Sequence, residues 1–108
     1  MIQLDITDPN YQDKLLLMEM LSTVKDPELG LNVVDLGLIY QVAISENKVN
    51  ILMTLSTPAC PAADYLKTAV ELTASNTFKD YIIIVEITFE PEWNGDMISE
   101  AGRKELGW

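Results

Sequence analysis

The sequence has 108 residues, of which 48% are hydrophobic, so it contains enough apolar material for one domain over residues 1–108. It carries 17 acidic and 7 basic residues, for a net charge of −10, and no histidine. Such a charge repels phosphate backbones, which excludes nucleic acid as an expected partner. The absence of histidine excludes Ser-His-Asp and Cys-His catalytic devices within the chain and removes the commonest zinc ligand.

The single cysteine cannot form an internal disulfide, which favours a reducing cytoplasm as the location. No apolar run approaches the roughly 20 residues that span a bilayer, so we expect no membrane association. The first residues also lack the basic and apolar regions of a signal peptide. The acidity has two interpretations, which are simple solubility and an acidic face that meets a basic partner.

The predicted elements begin with a helix whose N-cap is Asp8, followed by Pro9 in its first turn. Apolar residues then recur at helical spacing until the helix stops near Lys25, because Asp26 precedes a proline. After a loop, the remaining elements are strands over 39–45 and 49–56, a helix over 62–75, a strand over 81–90 and a short helix over 96–106.

The crossover from the second to the third strand runs through a helix, which predicts that these two strands are parallel. Gly107 follows the last helix where a C-cap glycine belongs. The order predicts a small α+β fold, with a mixed three-stranded sheet and its helices mainly on one face.

Cys60 lies in the corner between the second strand and the following helix. Because Pro61 suits the first position of a helix, Cys60 is predicted to be the N-cap, where the helix dipole favours the thiolate. Asp64, one turn further along, opposes that effect, or it adds a hard ligand beside the soft one. The alternative is that Cys60 is a small buried hydrophobic residue.

Further acidic residues lie in the loop before the first strand. Asp26 and Glu28 either stop the helix and remain solvated or belong to a site, and Asp35 either shapes a turn or joins that site. Trp93, held between a proline and a glycine, is either a lid on the core or an exposed contact residue, and we favour contact.

Three blocks resemble one iron–sulfur assembly family, which includes SufT, PaaD and the eukaryotic cytosolic iron–sulfur targeting subunits. They are Asp26-Pro27-Glu28-Leu29-Gly30 with Asn32-Val33-Val34-Asp35-Leu36-Gly37-Leu38-Ile39-Tyr40, then Met53-Thr54-Leu55-Ser56-Thr57-Pro58-Ala59-Cys60-Pro61, then Phe89-Glu90-Pro91-Glu92-Trp93 with Met97-Ile98-Ser99-Glu100 and Leu106-Gly107. The similarity runs from about Leu21 to the C-terminus. The compact length resembles single-domain SufT-like members more than PaaD-like ones.

The resemblance implies an iron–sulfur assembly-type domain that helps to mature iron–sulfur proteins. It implies that Cys60 is the reactive group and a candidate ligand of iron or a transient cluster, with no permanent cofactor. Asp26 and its loop belong to the implied site, for which we predict supporting roles of Glu28, Asp35, Thr57 and Asp64, and partner contact by Glu92 and Trp93. Ala59, Ala62 and Glu92 depart from the usual family residues.

Three functions remain open from the sequence. The first is a non-enzymatic assembly or delivery factor that acts through Cys60. A cluster usually needs four ligands, so a second copy or a client must supply the others, and we expect a homodimer that contacts assembly proteins and clients. The second is an adaptor without a metal role. The third, a thiol enzyme, is disfavoured because no histidine is present to activate the thiol.

Overall fold

A computed structural model describes residues 4–57 and 61–108 of the chain. The elements, in chain order, are α1 (Tyr11–Leu21), β1 (Ile39–Ser45), β2 (Lys48–Met53), α2 (Ala63–Thr77), β3 (Ile82–Ile87), a short 3₁₀ helix (Gly95–Met97) and α3 (Glu100–Leu106). No helix in the described part of the chain is long and apolar enough to cross a membrane.

The three strands form one mixed sheet in the order β1-β2-β3. β1 and β2 are an antiparallel hairpin in which Val42 faces Ile51, and β3 lies parallel to β2 with Val85 beside Ile51. α1 and α2 pack together and against the sheet, as the crossover and the apolar patterns predict. The prediction of a mixed three-stranded α+β fold with helices mainly on one face is therefore confirmed.

The core lies between this sheet and the two long helices. Alternate residues of β2 (Val49, Ile51 and Met53) are buried on the helix side, which is the period-two pattern of a half-buried strand. Leu66 and Val70 of α2, at helical spacing, belong to the same core cluster and are fully buried.

Several predicted boundaries were wrong for local reasons. The Asp8 carboxylate accepts the Asn10 N–H at 2.7 Å, so Asp8 builds a turn and the helix begins only at Tyr11. The same helix ends at Leu21, because the chain turns through residues 22–24 and the Thr23 hydroxyl donates to the Met20 carbonyl. β2 ends three residues earlier than predicted, at Met53.

The predicted bounds of the later elements also differ from those in the structure. α2 begins at Ala63 with Ala62 as its N-cap, so the prediction that Cys60 is the N-cap was wrong by two residues. β3 ends at Ile87, where Thr88 and Glu90 form a hydrogen-bonded turn. The predicted last helix is divided at Ser99, whose backbone is extended and whose hydroxyl caps α3. Gly107 has φ 78° at the C-cap, as predicted.

Candidate functional site

Asp26 is at the centre of the loop between α1 and β1, and it is completely buried. Its Oδ1 accepts the backbone N–H groups of Glu28 at 2.8 Å and Leu29 at 3.3 Å. Its own N–H donates to the Leu31 carbonyl, and its carbonyl accepts the Gly30 N–H at 2.8 Å. The side chain is thus clamped by a tight turn, which explains why an aspartate, rather than a longer glutamate, suits the position.

The second carboxylate oxygen of Asp26 is in a different situation. Oδ2 is buried and has no hydrogen-bond partner in the described part of the chain. Leaving a buried acceptor unsatisfied costs about 1–3 kcal/mol, and more for a charged group. The alternative interpretation, in which Asp26 only stops a helix and stays solvated, is therefore wrong for Asp26.

Asp35 is only partly buried, and both of its oxygens accept hydrogen bonds within the protein. Oδ2 accepts from the Asn32 amide at 2.7 Å and Oδ1 accepts from the Ser99 hydroxyl at 2.8 Å. The Ser99 N–H donates to the Asp35 carbonyl, and the Ser99 hydroxyl accepts the Gly102 N–H as the N-cap of α3. Asp35 therefore fastens the loop before β1 to the C-terminal helix.

Trp93 closes over the same loop. Its indole is half-buried against the core, and Nε1–H donates to the Leu36 carbonyl at 2.7 Å. Gly37 (φ 76°) comes so close to the Met97 backbone that a Cβ at Gly37 would lie 2.3 Å from the Met97 carbonyl oxygen. Residues 93–99 and 32–37 are thus interlocked. Trp93 therefore covers part of the core, as the lid interpretation predicts, and its contact with a partner remains a prediction.

The other predicted site residues lie in different surroundings. Cys60 is outside the described residues, and Thr57, the last described residue before it, is exposed. Glu28 and Glu92 are exposed as well. Asp64 lies in the first turn of α2 and lines a surface groove with Tyr65 and Leu72. The hydrogen bonds thus join the Asp26 loop, Asp35 and the Trp93 segment, and Asp64 contributes to a separate surface feature.

Three residues with hydrogen bonds in this region were not predicted as site residues. Asn32 donates to Asp35 and accepts the Val34 and Asp35 N–H groups, and Ser99 supplies the link to α3. Both occur in the blocks that resemble the family, which is the signal that would have found them. Tyr40 is a third, since its hydroxyl donates to the Pro91 carbonyl at 2.7 Å. Burial raises the pKa of Tyr40 above its usual value, against the opposing effect of a hydrogen bond with Thr54.

No three acidic or cysteine side chains within residues 4–57 and 61–108 come together as a metal-binding group. Asp26 is the one carboxylate in that part of the chain with a buried, unsatisfied oxygen.

The sequence and the fold are similar to those of known proteins. The family model of the iron–sulfur cluster assembly proteins matches residues 16–78, which include the second half of α1, the Asp26 loop, the hairpin and α2. The chain therefore belongs to the iron–sulfur cluster assembly protein family, as its motifs predict.

Individual relatives agree with this assignment. An Fe–S protein maturation auxiliary factor from Porphyromonas gingivalis is 44% identical over 93 residues, covering 85% of this chain and 89% of its own. The auxiliary factor SufT from Staphylococcus aureus is 33% identical over 85 residues, covering 78% and 97%. The crystal structure of a domain of unknown function (DUF59) from Bacillus anthracis superposes with a TM-score of 0.82 at 33% identity, covering 86% and 90%.

Proposed function

We propose that this protein is a non-enzymatic accessory factor that assembles iron–sulfur clusters or delivers them to client proteins in the cytoplasm. Cys60 is the reactive side chain in this proposal, and Asp26 lies in the supporting loop. Membership of the assembly family and the names of the relatives support the role. The absence of histidine supports a binding function rather than thiol catalysis.

The buried Asp26 oxygen is the observation that carries the proposal. Folding removes this carboxylate from water and satisfies only one of its two oxygens. A group retained at such a cost is typical of functional positions, where an incoming ligand satisfies it. Carboxylate oxygen is a hard ligand and thiolate a soft one, and iron binds both.

A single thiolate leaves most of the coordination of a cluster unfilled, because clusters are usually held by four ligands. The rest must come from a second copy of the chain, in a two-fold homodimer, or from cysteines of a scaffold or client. The cluster is thus a transient cargo. Glu28, Asp35, Thr57 and Asp64 are proposed to support the site, and Glu92 and Trp93 to contact the partner.

The test uses cells that lack their own auxiliary factor, in which the activity of iron–sulfur client enzymes depends on the introduced chain. We expect Cys60→Ala and Asp26→Asn to lose that support. Asp26→Asn keeps an acceptor for the Glu28 and Leu29 N–H groups and removes the charge. Glu46→Gln, which removes a carboxylate from the exposed turn between β1 and β2, is the matched control and should retain full support.

Purified variants must retain the wild-type circular dichroism spectrum, so that lost support is not lost folding. Anaerobic addition of iron and sulfide then separates ligation from simple adaptor function. A visible charge-transfer absorption that disappears in Cys60→Ala supports ligation. Two results together would contradict ligation and favour an adaptor without a metal role. They are full client activity with Cys60→Ala and no visible absorption from the wild-type protein at high concentration.

A further inference from the structure

A groove runs along the exposed side of α2 to the edge of the sheet. Its first part, about 400 Å³, is lined by Asp64, Tyr65, Thr68, Ala69 and Leu72, at positions spaced along one helix face. Its second part, about 350 Å³, shares Thr68 and Leu72 and continues to Tyr81 and Ile83 beside β3. Tyr65 is 56% exposed and Leu72 is 58% exposed, so this helix face presents two large apolar side chains to solvent.

The groove ends at β3, which is an edge strand of the sheet. The N–H groups of Ile82 and Thr88 donate inward, to the Asn47 and Met53 carbonyls of the β2 side. Since backbone groups alternate along a strand, the N–H and C=O groups of Ile83, Val85 and Ile87 face outward. No described element pairs with them, so β3 presents a row of backbone donors and acceptors.

The opposite edge of the sheet, at β1, is covered by the segment that precedes α1. At β1 the Asn10 amide donates to the Ile44 carbonyl at 2.9 Å, and the segment that contains Asp5 and Asp8 lies beside Tyr40 and Val42. β3 has no such cover in the described structure. Its sequence, Ile82–Ile87, also lacks the lysine or proline that commonly protects an exposed edge.

Charge decides between the possible occupants of this edge. The groove is lined by two carboxylates, Asp64 and Glu71, and by no lysine or arginine, while Glu86 lies on the other face of β3. A second copy of a chain with net charge −10 would bring like charges together. A basic segment would be attracted by the same side chains.

We propose that β3 and the α2 groove bind an extended segment of a partner protein that carries both β-branched and basic residues. The segment adds a fourth strand through Ile83, Val85 and Ile87, and its side chains on the helix side lie against Tyr65 and Leu72. This proposal does not depend on Cys60. Binding should be the same in Cys60→Ala, so its failure is separable from failure of the cluster role.

Backbone hydrogen exchange measured by NMR gives a signature specific to strand addition. The probe is an acetylated and amidated peptide of alternating valine and lysine, about six residues long, which is a usual strand length. We expect it to slow exchange of the Ile83, Val85 and Ile87 amides at least tenfold. The Ile82, Ile84 and Glu86 amides already face β2 and should change little.

Two control peptides, two protein variants and a concentration series without peptide make the test decisive. The same peptide with every backbone amide N-methylated keeps its charge but cannot donate hydrogen bonds along either edge, and a glutamate–valine peptide keeps the strand but reverses the charge. Leu72→Asn, which removes an exposed apolar side chain without changing the charge, should weaken binding several-fold, whereas the matched change Leu16→Asn on α1 should not. Equal protection by the glutamate or N-methylated peptide overturns the proposal. So does protection of the same three amides by raising the protein's own concentration without peptide, which would assign the edge to a homodimer.

Discussion

Replacing Gly37 with alanine is expected to destabilise the protein much more than the same change at Gly30. Both glycines have a positive φ, 76° and 73°, so each substitution carries the left-handed backbone cost of about 1–2 kcal/mol. At Gly30 the new methyl group meets nothing within 4 Å, whereas at Gly37 it lies 2.3 Å from the Met97 carbonyl oxygen. Relieving such an overlap adds about 1–3 kcal/mol, because the Met97 segment must move.

The expected loss in unfolding free energy is therefore about 2–5 kcal/mol for Gly37→Ala and about 1–2 kcal/mol for Gly30→Ala. Urea unfolding followed by circular dichroism and by tryptophan fluorescence measures both. Fluorescence should respond more to Gly37→Ala, because Trp93 donates to the carbonyl of the neighbouring Leu36. Equal losses for the two variants, within about 0.5 kcal/mol, would refute the argument that residues 93–99 are locked onto this loop.

Two further predictions concern the same interlocked region. Ser99→Ala removes both the α3 N-cap and the hydrogen-bond donor to Asp35, so it should lower the free energy of unfolding by about 2–3 kcal/mol. Thermal unfolding of Ser99→Ala, Asp35→Ala and the double variant should show a coupling energy of at least about 0.5 kcal/mol between the two residues. Additive losses would contradict the link. Because the pKa of Tyr40 is raised on folding, its contribution to stability is complete below the unfolded value near 10 and is lost as pH rises through the folded value. Urea unfolding between pH 9 and pH 11 should therefore show a steeper loss for the wild type than for Tyr40→Phe, and equal slopes would contradict it.

The interlocked region gives physical meaning to the order of the family motifs. The opening block supplies Asn32, Asp35 and Gly37, and the closing block supplies Trp93 and Ser99. Hydrogen bonds between residues more than 50 positions apart hold the two blocks together. A change in the closing block is therefore expected to disturb the loop that carries Asp26 as well.

The sequence by itself determined the order and type of the elements. The strand predicted over Ile39–Ser45 matches β1 in both bounds, and buried and exposed residues alternate over most of its length. A glycine with a positive φ was correctly placed at Gly107. Three motif blocks in the expected order were sufficient to identify the family, since they contain side chains whose hydrogen bonds hold the fold together. Boundaries failed where one side chain, such as Asp8 or Ser99, made a local hydrogen bond that the periodicity does not contain.

Only the tertiary structure distinguished the two acidic loop residues that look alike in the sequence. Asp26 and Asp35 each lie in a loop before a glycine, yet Asp26 is buried with one oxygen unsatisfied and Asp35 has both oxygens hydrogen-bonded. The predicted hairpin and crossover already imply that β3 lies at an edge of the sheet, but only the structure shows that no described element covers that edge. Burial and hydrogen bonding of a side chain are set by neighbours distant in the chain, and those neighbours exist only once the chain has folded.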